Sequence, residues 1–247
     1  MFNAALTARN ITDWAAIIKL PKALADAIAI WEESDYVMPP AAVFNTTGLT
    51  RETIAAAIED YAQRMAAVAG FDDAKRLARE QLAADLIHAA ADAVPEVIDQ
   101  LRPEFDKAVA VYVEAVAQLP ESFSGDTIAD APEAVQGAYR TAADAASTIR
   151  KIDSWLGSLG DLPTHGSYTS DRELRVLAPK NRDELAAVMT NPKLSKSEDK
   201  LHGLYLTAAR TGVGFAMSTP AEATALRKEL DATPFTRKPI QFARIGR

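Results

Sequence analysis

Three observations predict an all-α, or mainly α, protein: an antiparallel helical bundle followed by a smaller irregular C-terminal region with a short two-stranded β element and an extended tail. Alanine fills 49 of 247 positions, 38 of them within the first 150 residues. It is the strongest intrinsic helix former because its side chain loses no rotamer freedom, yet it buries little apolar surface. Larger apolar residues in that part recur at steps of three and four, the period of one helix face. After Asp161 alanine thins out and turn-forming residues become frequent. These features mark an acidic Ala-rich helical body over residues 1–161, a smaller mixed region over 162–232 and a basic tail over 233–247.

From Thr12 or Asp13 to about Glu33, the residues Trp14, Ile17, Leu24, Ile28 and Trp31 return at helical spacing. Pro21 lies inside that run; it lacks an N–H and collides with the preceding turn, so a kink or two helices meeting near Leu20 are expected. The stretch from Ser34 to Leu49, with Pro39, Pro40 and Gly48, reads as a long irregular connection, and Thr50 is placed to cap the next helix. Ile54, Ile58, Tyr61, Met65 and Val68 form a stripe with steps of 4, 3, 4 and 3 that should end at Gly70. Asp72 should open a further helix through Leu77, Leu86, Ile87 and Val94, ended or bent by Pro95. The longest stripe is Ile98, Leu101, Phe105, Val109, Tyr112, Val116 and Leu119. A break or bend close to Arg102 is expected, with Pro103 serving as a first-turn residue of the longer piece.

After a Ser-, Gly- and Asp-rich loop over 120–130, Val135, Tyr139, Ala142, Ala146, Ile149, Ile152, Leu156 and Leu159 trace the last long helix, closed by Gly157 and Gly160. Beyond Asp161, Glu173 to Ala178 alternates enough to be a short strand. Asn181, Ser195 or Ser197, and Thr219 are helix caps; Thr219-Pro220-Ala221-Glu222 carries the capping-box spacing with proline at the first helical position. Ile240, Phe242 and Arg244 alternate as an extended tail that could pair with Glu173 to Ala178 or with another subunit. No fixed-period repeat argues for a solenoid. Uniform heptads do not run across the prolines, which argues against a simple two-stranded coiled coil.

Charge divides the chain as sharply as composition does. Up to Asp161 there are 25 acids and 13 bases; from Leu162 onward there are 9 acids and 14 bases. No acid follows Asp231, whereas Arg237, Lys238, Arg244 and Arg247 do. Opposite charge in two parts of one chain favours head-to-tail contact between copies, or a basic tail on an acidic or phosphate partner. Near the N-terminus, the most apolar stretch, Trp14 to Trp31, is interrupted by Lys19, Pro21, Lys22 and Asp26. No classical signal peptide and no membrane span are therefore expected, which points to a cytoplasmic or virion location.

Chemistry-bearing residues are few. With no cysteine, disulfides, thiolate metal sites and cysteine nucleophiles are excluded. Only His88, His165 and His202 offer imidazoles. Asp85 with His88, and Asp199 with His202, each sit three apart on a helix. That spacing resembles the Glu-x-x-His pair of di-iron bundle proteins, with aspartate replacing glutamate and no matching ligands on other helices. His165-Gly166-Ser167-Tyr168 lacks the strand–turn–helix setting of a nucleophile elbow. Gly212-Val213-Gly214 follows a helix, the wrong context for a phosphate loop, and reads as helix termination. Of the acid pairs Glu32-Glu33, Asp72-Asp73, Asp183-Glu184 and Glu198-Asp199, three fall where a first helical turn favours negative charge. Trp14, Trp31 and Trp155 occupy apolar helix faces and read as core or subunit-contact residues. No catalytic residue, metal or cofactor is assigned.

The tail is different, because Phe235 and Phe242 are interleaved with Arg237, Lys238, Ile240 and Arg244 in a stretch without acids. Such a segment suits anchoring in a groove on a neighbouring protein or stacking on single-stranded nucleic acid. The acidic body would repel a phosphate backbone, which favours the protein groove. High alanine without cysteine resembles products of high-GC actinobacterial genomes and their phages. A helical acidic body ending in a basic arm is similar in general layout to viral scaffolding and virion-assembly proteins. This layout implies a non-enzymatic structural or assembly protein, a homo-oligomer or a protein docked on a partner through Phe235, Arg237, Lys238, Ile240, Phe242 and Arg244. Two other readings use the same residues differently: nucleic-acid binding through the basic tail, and a helical enzyme or metal-binding bundle using His88 or His202 with nearby carboxylates.

Overall fold

A computed structural model describes residues 3–163, 165–166, 172–190 and 195–234. Among them, nine α-helices and one two-stranded antiparallel sheet make the chain mainly α with a short β element, as the composition and periodicity predict. The chain divides into two compact units, Met1–Val94 and Pro95–Arg247.

In the first unit, α1 (Ala4–Thr12) starts with the Asn3 side chain accepting from the Leu6 amide at 3.2 Å. A 3-10 turn (Asp13–Ala16) follows, and α2 (Lys22–Glu33) begins directly after Pro21. The expected break near Leu20 is thus realised as the 3-10 turn and a separate α2, with Pro21 at the N-cap, where its missing N–H leaves no helical hydrogen bond unmade. Ile11, Trp14, Leu24, Ile28 and Trp31 are buried. The third helix, α3 (Ile54–Val116), passes out of this unit and into the second.

One correction concerns α3. Gly70 was expected to end a helix, Pro95 to end or bend one and Pro103 to break or bend one, yet all three lie inside a single helix. Gly70 costs about 1 kcal/mol relative to alanine, which neighbouring alanines and other strong helix formers offset. Both prolines are exposed. Because α3 is continuous, Asp72-Asp73 lies in a helix interior and not in a first turn.

The second unit takes the C-terminal part of α3, whose Val97, Leu101, Phe105, Tyr112 and Val116 are buried. Next come α4 (Gly125–Ala129) and α5 (Glu133–Ser158). Along α5 the buried positions are Ala138, Ala142, Ala145, Ala146, Ile149, Ile152, Asp153, Trp155 and Leu156, a single stripe with one carboxylate in it. Burying each large apolar side chain contributes roughly 1.5–3 kcal/mol. The sheet joins β1 (Leu177–Ala178) to β2 (Gly214–Phe215), with Leu177 opposite Phe215 and Ala178 opposite Gly214. Only the end of the strand expected over Glu173 to Ala178 forms, because Arg172–Arg175 is a 3-10 turn.

Between the strands come α6 (Arg182–Met189), α7 (Lys196–Lys200) and α8 (Gly203–Thr211), and after β2 comes α9 (Pro220–Ala232). Asn181 caps α6 as expected, and Ser195 and Thr219 form full capping boxes with Glu198 and Glu222. Gly212 adopts φ +75° and closes α8 in the left-handed conformation, while Gly214 approaches Ala178 so closely that an added Cβ would stand 3.3 Å from its carbonyl oxygen. The Gly-Val-Gly stretch therefore serves helix termination and strand pairing.

Candidate functional site

Where the sequence pointed to chemistry, the described residues mostly show structural use. His88 is exposed on α3, and neighbouring Asp85 accepts from Gln81 Nε2 at 2.9 Å. Among the described residues no group of three or more histidine, aspartate or glutamate side chains is placed to hold a metal ion. Ser167 and Tyr168 lie outside the described residues, as do Phe235, Arg237, Lys238, Ile240, Phe242 and Arg244. Trp14, Trp31 and Trp155 are all buried, in keeping with their apolar helix faces. No helix among the described residues is long and apolar enough to cross a membrane.

Two local arrangements stand out, one in each unit. In the first, α3 presents the stripe Ile54, Ile58, Tyr61, Met65 and Val68, and no residue from Arg51 to Leu82 is buried. Ile58 is 54% exposed and Leu77 57%. Phe44 meets Tyr61 edge-on, with ring centroids 5.3 Å apart, and is the one aromatic contact along this stretch among the described residues. The preceding connection adds Tyr36, Val37, Met38 and Val43, all exposed. Further along, α3 is tied down by its cations. Lys75 Nζ donates to the carbonyls of Asp35 (2.7 Å) and Val37 (3.0 Å), and Arg79 pairs with Asp35 while lying 5.2 Å over the Trp31 ring. An amphipathic helix draws most of its stability from covering its apolar face, so a stripe left bare is unusual in a folded chain.

The second arrangement is a polar cluster in the core of the C-terminal unit. Asp153, 7% exposed, accepts from Arg175 Nε at 2.6 Å on one carboxylate oxygen and from the Tyr205 hydroxyl at 2.7 Å on the other. The charge is thus matched by a guanidinium and both oxygens are engaged, which is what a buried carboxylate requires. Gly157, one turn along α5 from Asp153, makes room for Arg175: a Cβ there would lie 2.8 Å from its Nη1. The His202 ring lies against the Tyr205 ring with centroids 3.8 Å apart and an interplanar angle of 30°. Burial, and then the Asp153 charge and hydrogen bond, push the Tyr205 hydroxyl far above the ordinary phenol value, against Arg175 and Arg150. It remains a donor at any ordinary pH.

Beside this cluster, the short helix α7 is held by its carbonyls. Tyr139 donates to Ser197 O at 3.1 Å, Arg150 to Lys200 O at 3.4 Å and Tyr112 to Leu201 O at 2.7 Å. The last carbonyls of a five-residue helix have no partners within it, and these three side chains from α3 and α5 supply them. Ser195 Oγ adds a bond to Phe123 O at 2.6 Å, and Arg210 reaches Glu198 at 3.5 Å and Pro120 O at 2.8 Å. Sequence reading missed this set. Its available signal was Asp153, a carboxylate inside the apolar run Ile149, Ile152, Leu156, where a lone acid needs a partner from elsewhere in the fold.

Comparison with known proteins gives no matching family model, no matching curated protein and no matching solved structure. The cluster around Asp153 has no unengaged carboxylate oxygen to act as a base, so its evident work is to orient Tyr205 and fasten α5 to α8. The bare stripe on α3 is the feature that calls for something outside the described residues.

Proposed function

We propose that this chain is a non-enzymatic structural or assembly protein that self-associates, the kind of component used in a phage virion or in capsid assembly. Its helical body packs laterally on a second copy through Ile54, Ile58, Tyr61, Met65 and Val68. Its C-terminal arm, with Phe235, Arg237, Lys238, Ile240, Phe242 and Arg244, docks on a neighbour. The observation that carries the reading is the bare face of α3, where none of the residues from Arg51 to Leu82 is buried.

Two features favour a second copy as the occupant of that face. Steps of 4, 3, 4 and 3 are the knob spacing of paired helices. The residues beside the stripe include Ala55, Ala57, Ala62 and Ala69, small enough to let an identical helix approach closely. The arm adds charge complementarity, since its four cations meet a body with a surplus of acids.

Sedimentation velocity or light scattering tests the reading. Wild-type protein should form an oligomer, the double variant Ile58→Glu/Met65→Glu should shift it towards monomer, and deletion of residues 233–247 should stop growth beyond the lateral contact. A wild-type chain that stays monomeric at every accessible concentration refutes the proposal.

A further inference from the structure

The elbow between α7 and α8 turns on a single residue with three unusual properties. His202 has φ +62°, the sole positive φ among the described non-glycine residues, so its backbone is held where L side chains rarely go. Its ring is stacked on Tyr205, and its Nδ1 is buried without a hydrogen-bond partner among the described residues. Its backbone closes both helices: the His202 N–H donates to Asp199 O at 3.0 Å, and its carbonyl accepts from the Leu206 amide at 2.9 Å. A strained turn persists only where its surroundings over-determine it, and here they do so through the seated imidazole.

We propose that His202 is an acid-operated latch, seated as a neutral ring at neutral pH and expelled on protonation, which releases the Ser195–His202 elbow from α3 and α5. The charges that face it come from each element around it. Asp153 and Arg150 belong to α5, Arg175 to the 3-10 turn, Asp199 to α7, and the stacked phenol of Tyr205 to α8. Asp153 already pairs with Arg175 and accepts from Tyr205, so its charge is shared with those two partners. The N-terminal end of α8, where the ring sits, carries positive dipole charge and disfavours a cation. Burial is the largest influence holding the imidazole below its ordinary value; Arg150 and Arg175 act with it, and Asp153 and Asp199 against it.

The sign follows from linkage. An imidazole with a folded value below its unfolded one carries fewer protons folded than unfolded across that interval, so stability rises with pH there. The latch is whole above the ordinary histidine range. It weakens as the pH falls from the unfolded value through to the folded one. Because three side chains hold the carbonyls of Ser197, Lys200 and Leu201, release should expose the whole elbow as a unit and not fray it residue by residue.

Two measurements on the full chain test this. Hydrogen exchange, corrected for intrinsic rates, is compared between about pH 7.5 and about pH 5, the range in which histidine changes charge. Amides of residues 196–206 should lose protection several-fold more than those of α5. In His202→Phe, which keeps an aromatic stack and cannot titrate, that excess loss should vanish. Side-chain NMR of the wild type should show His202 titrating below the ordinary histidine range. An excess loss retained in His202→Phe, or a His202 that titrates within or above the ordinary histidine range, overturns the proposal. If His202→Phe does not fold, the titration of His202 in the wild type decides alone.

Discussion

The Ile54–Glu80 stretch of α3 and the helix α5 are written in nearly the same sequence language and meet opposite fates. Both are rich in alanine and both carry larger apolar residues at steps of three and four. In α5 the stripe is buried from Ala138 to Leu156, closing on Trp155 at 1% exposure. In the N-terminal half of α3 the equivalent stripe stays open. Periodicity states that a helix has an apolar face; it does not state what covers that face. The difference lies in the positions that break the pattern. In α5 a buried carboxylate, Asp153, recruits Arg175 and Tyr205 from residues 22 and 52 positions away. In α3 the out-of-pattern residues are cations, Lys75 and Arg79, which bind the end of α2 and leave the preceding turns bare.

The strongest way to break this contrast is Asp153→Ala. It leaves a half-buried guanidinium and a buried phenol without their shared acceptor, and breaking a buried charge pair in this manner costs about 3–5 kcal/mol. Urea denaturation followed by hydrogen exchange should place the loss in α5, α8 and the Arg172–Arg175 turn, with Met1–Val94 little changed. A uniform loss over both units would contradict the assignment of this cluster to the C-terminal unit alone.

Next in size is Tyr112→Phe. It removes the donor to Leu201 O and leaves a buried carbonyl unmatched, at about 1–3 kcal/mol. Equilibrium unfolding should register that loss, and the Ser195–His202 elbow should exchange faster. A variant as stable as the wild type would show that water satisfies the carbonyl equally well.

Smaller effects sharpen the comparison from the other side. Gly70→Ala in α3 and Gly137→Ala in α5 each meet open space around the new Cβ. Each should therefore gain about 0.5–1 kcal/mol in thermal unfolding, from helix propensity alone. Equal gains would show that the two helices differ in their covering and not in their intrinsic tendency to form. The smallest stability change belongs to Ile58→Glu/Met65→Glu, within about 0.5 kcal/mol for a dissociated chain, because exposed substitutions disturb no packing. A large loss in the dissociated chain would mean that these side chains are covered within it.

Much of the fold was legible. Thr219 with Glu222, Asn181 with Glu184 and the Pro21 break were readable because each depends on residues within four positions of one another. The continuity of α3 was not, since Gly70, Pro95 and Pro103 oppose helix locally and are outweighed by what lies on either side. Nor was the Asp153 cluster, whose members come from α5, the 3-10 turn and α8. The two arms of the β element illustrate the boundary. A short strand near Ala178 could be foreseen, but its partner, Gly214–Phe215, is chosen by a closing glycine and an approach to Ala178 that no local pattern encodes. Of the proposed assembly surface, the apolar stripe of α3 was read as a face from its spacing, and its openness was not.

By itself the sequence determined that this chain is mainly helical, where most helices start, and that its acidic and basic residues are segregated, because propensity, capping and charge act over a few residues or by simple sum. Tertiary structure decided which stripe is buried, which acid is paired and why a histidine occupies a left-handed turn. Those outcomes depend on contacts between residues tens of positions apart, whose free energy exists only once the chain has closed on itself.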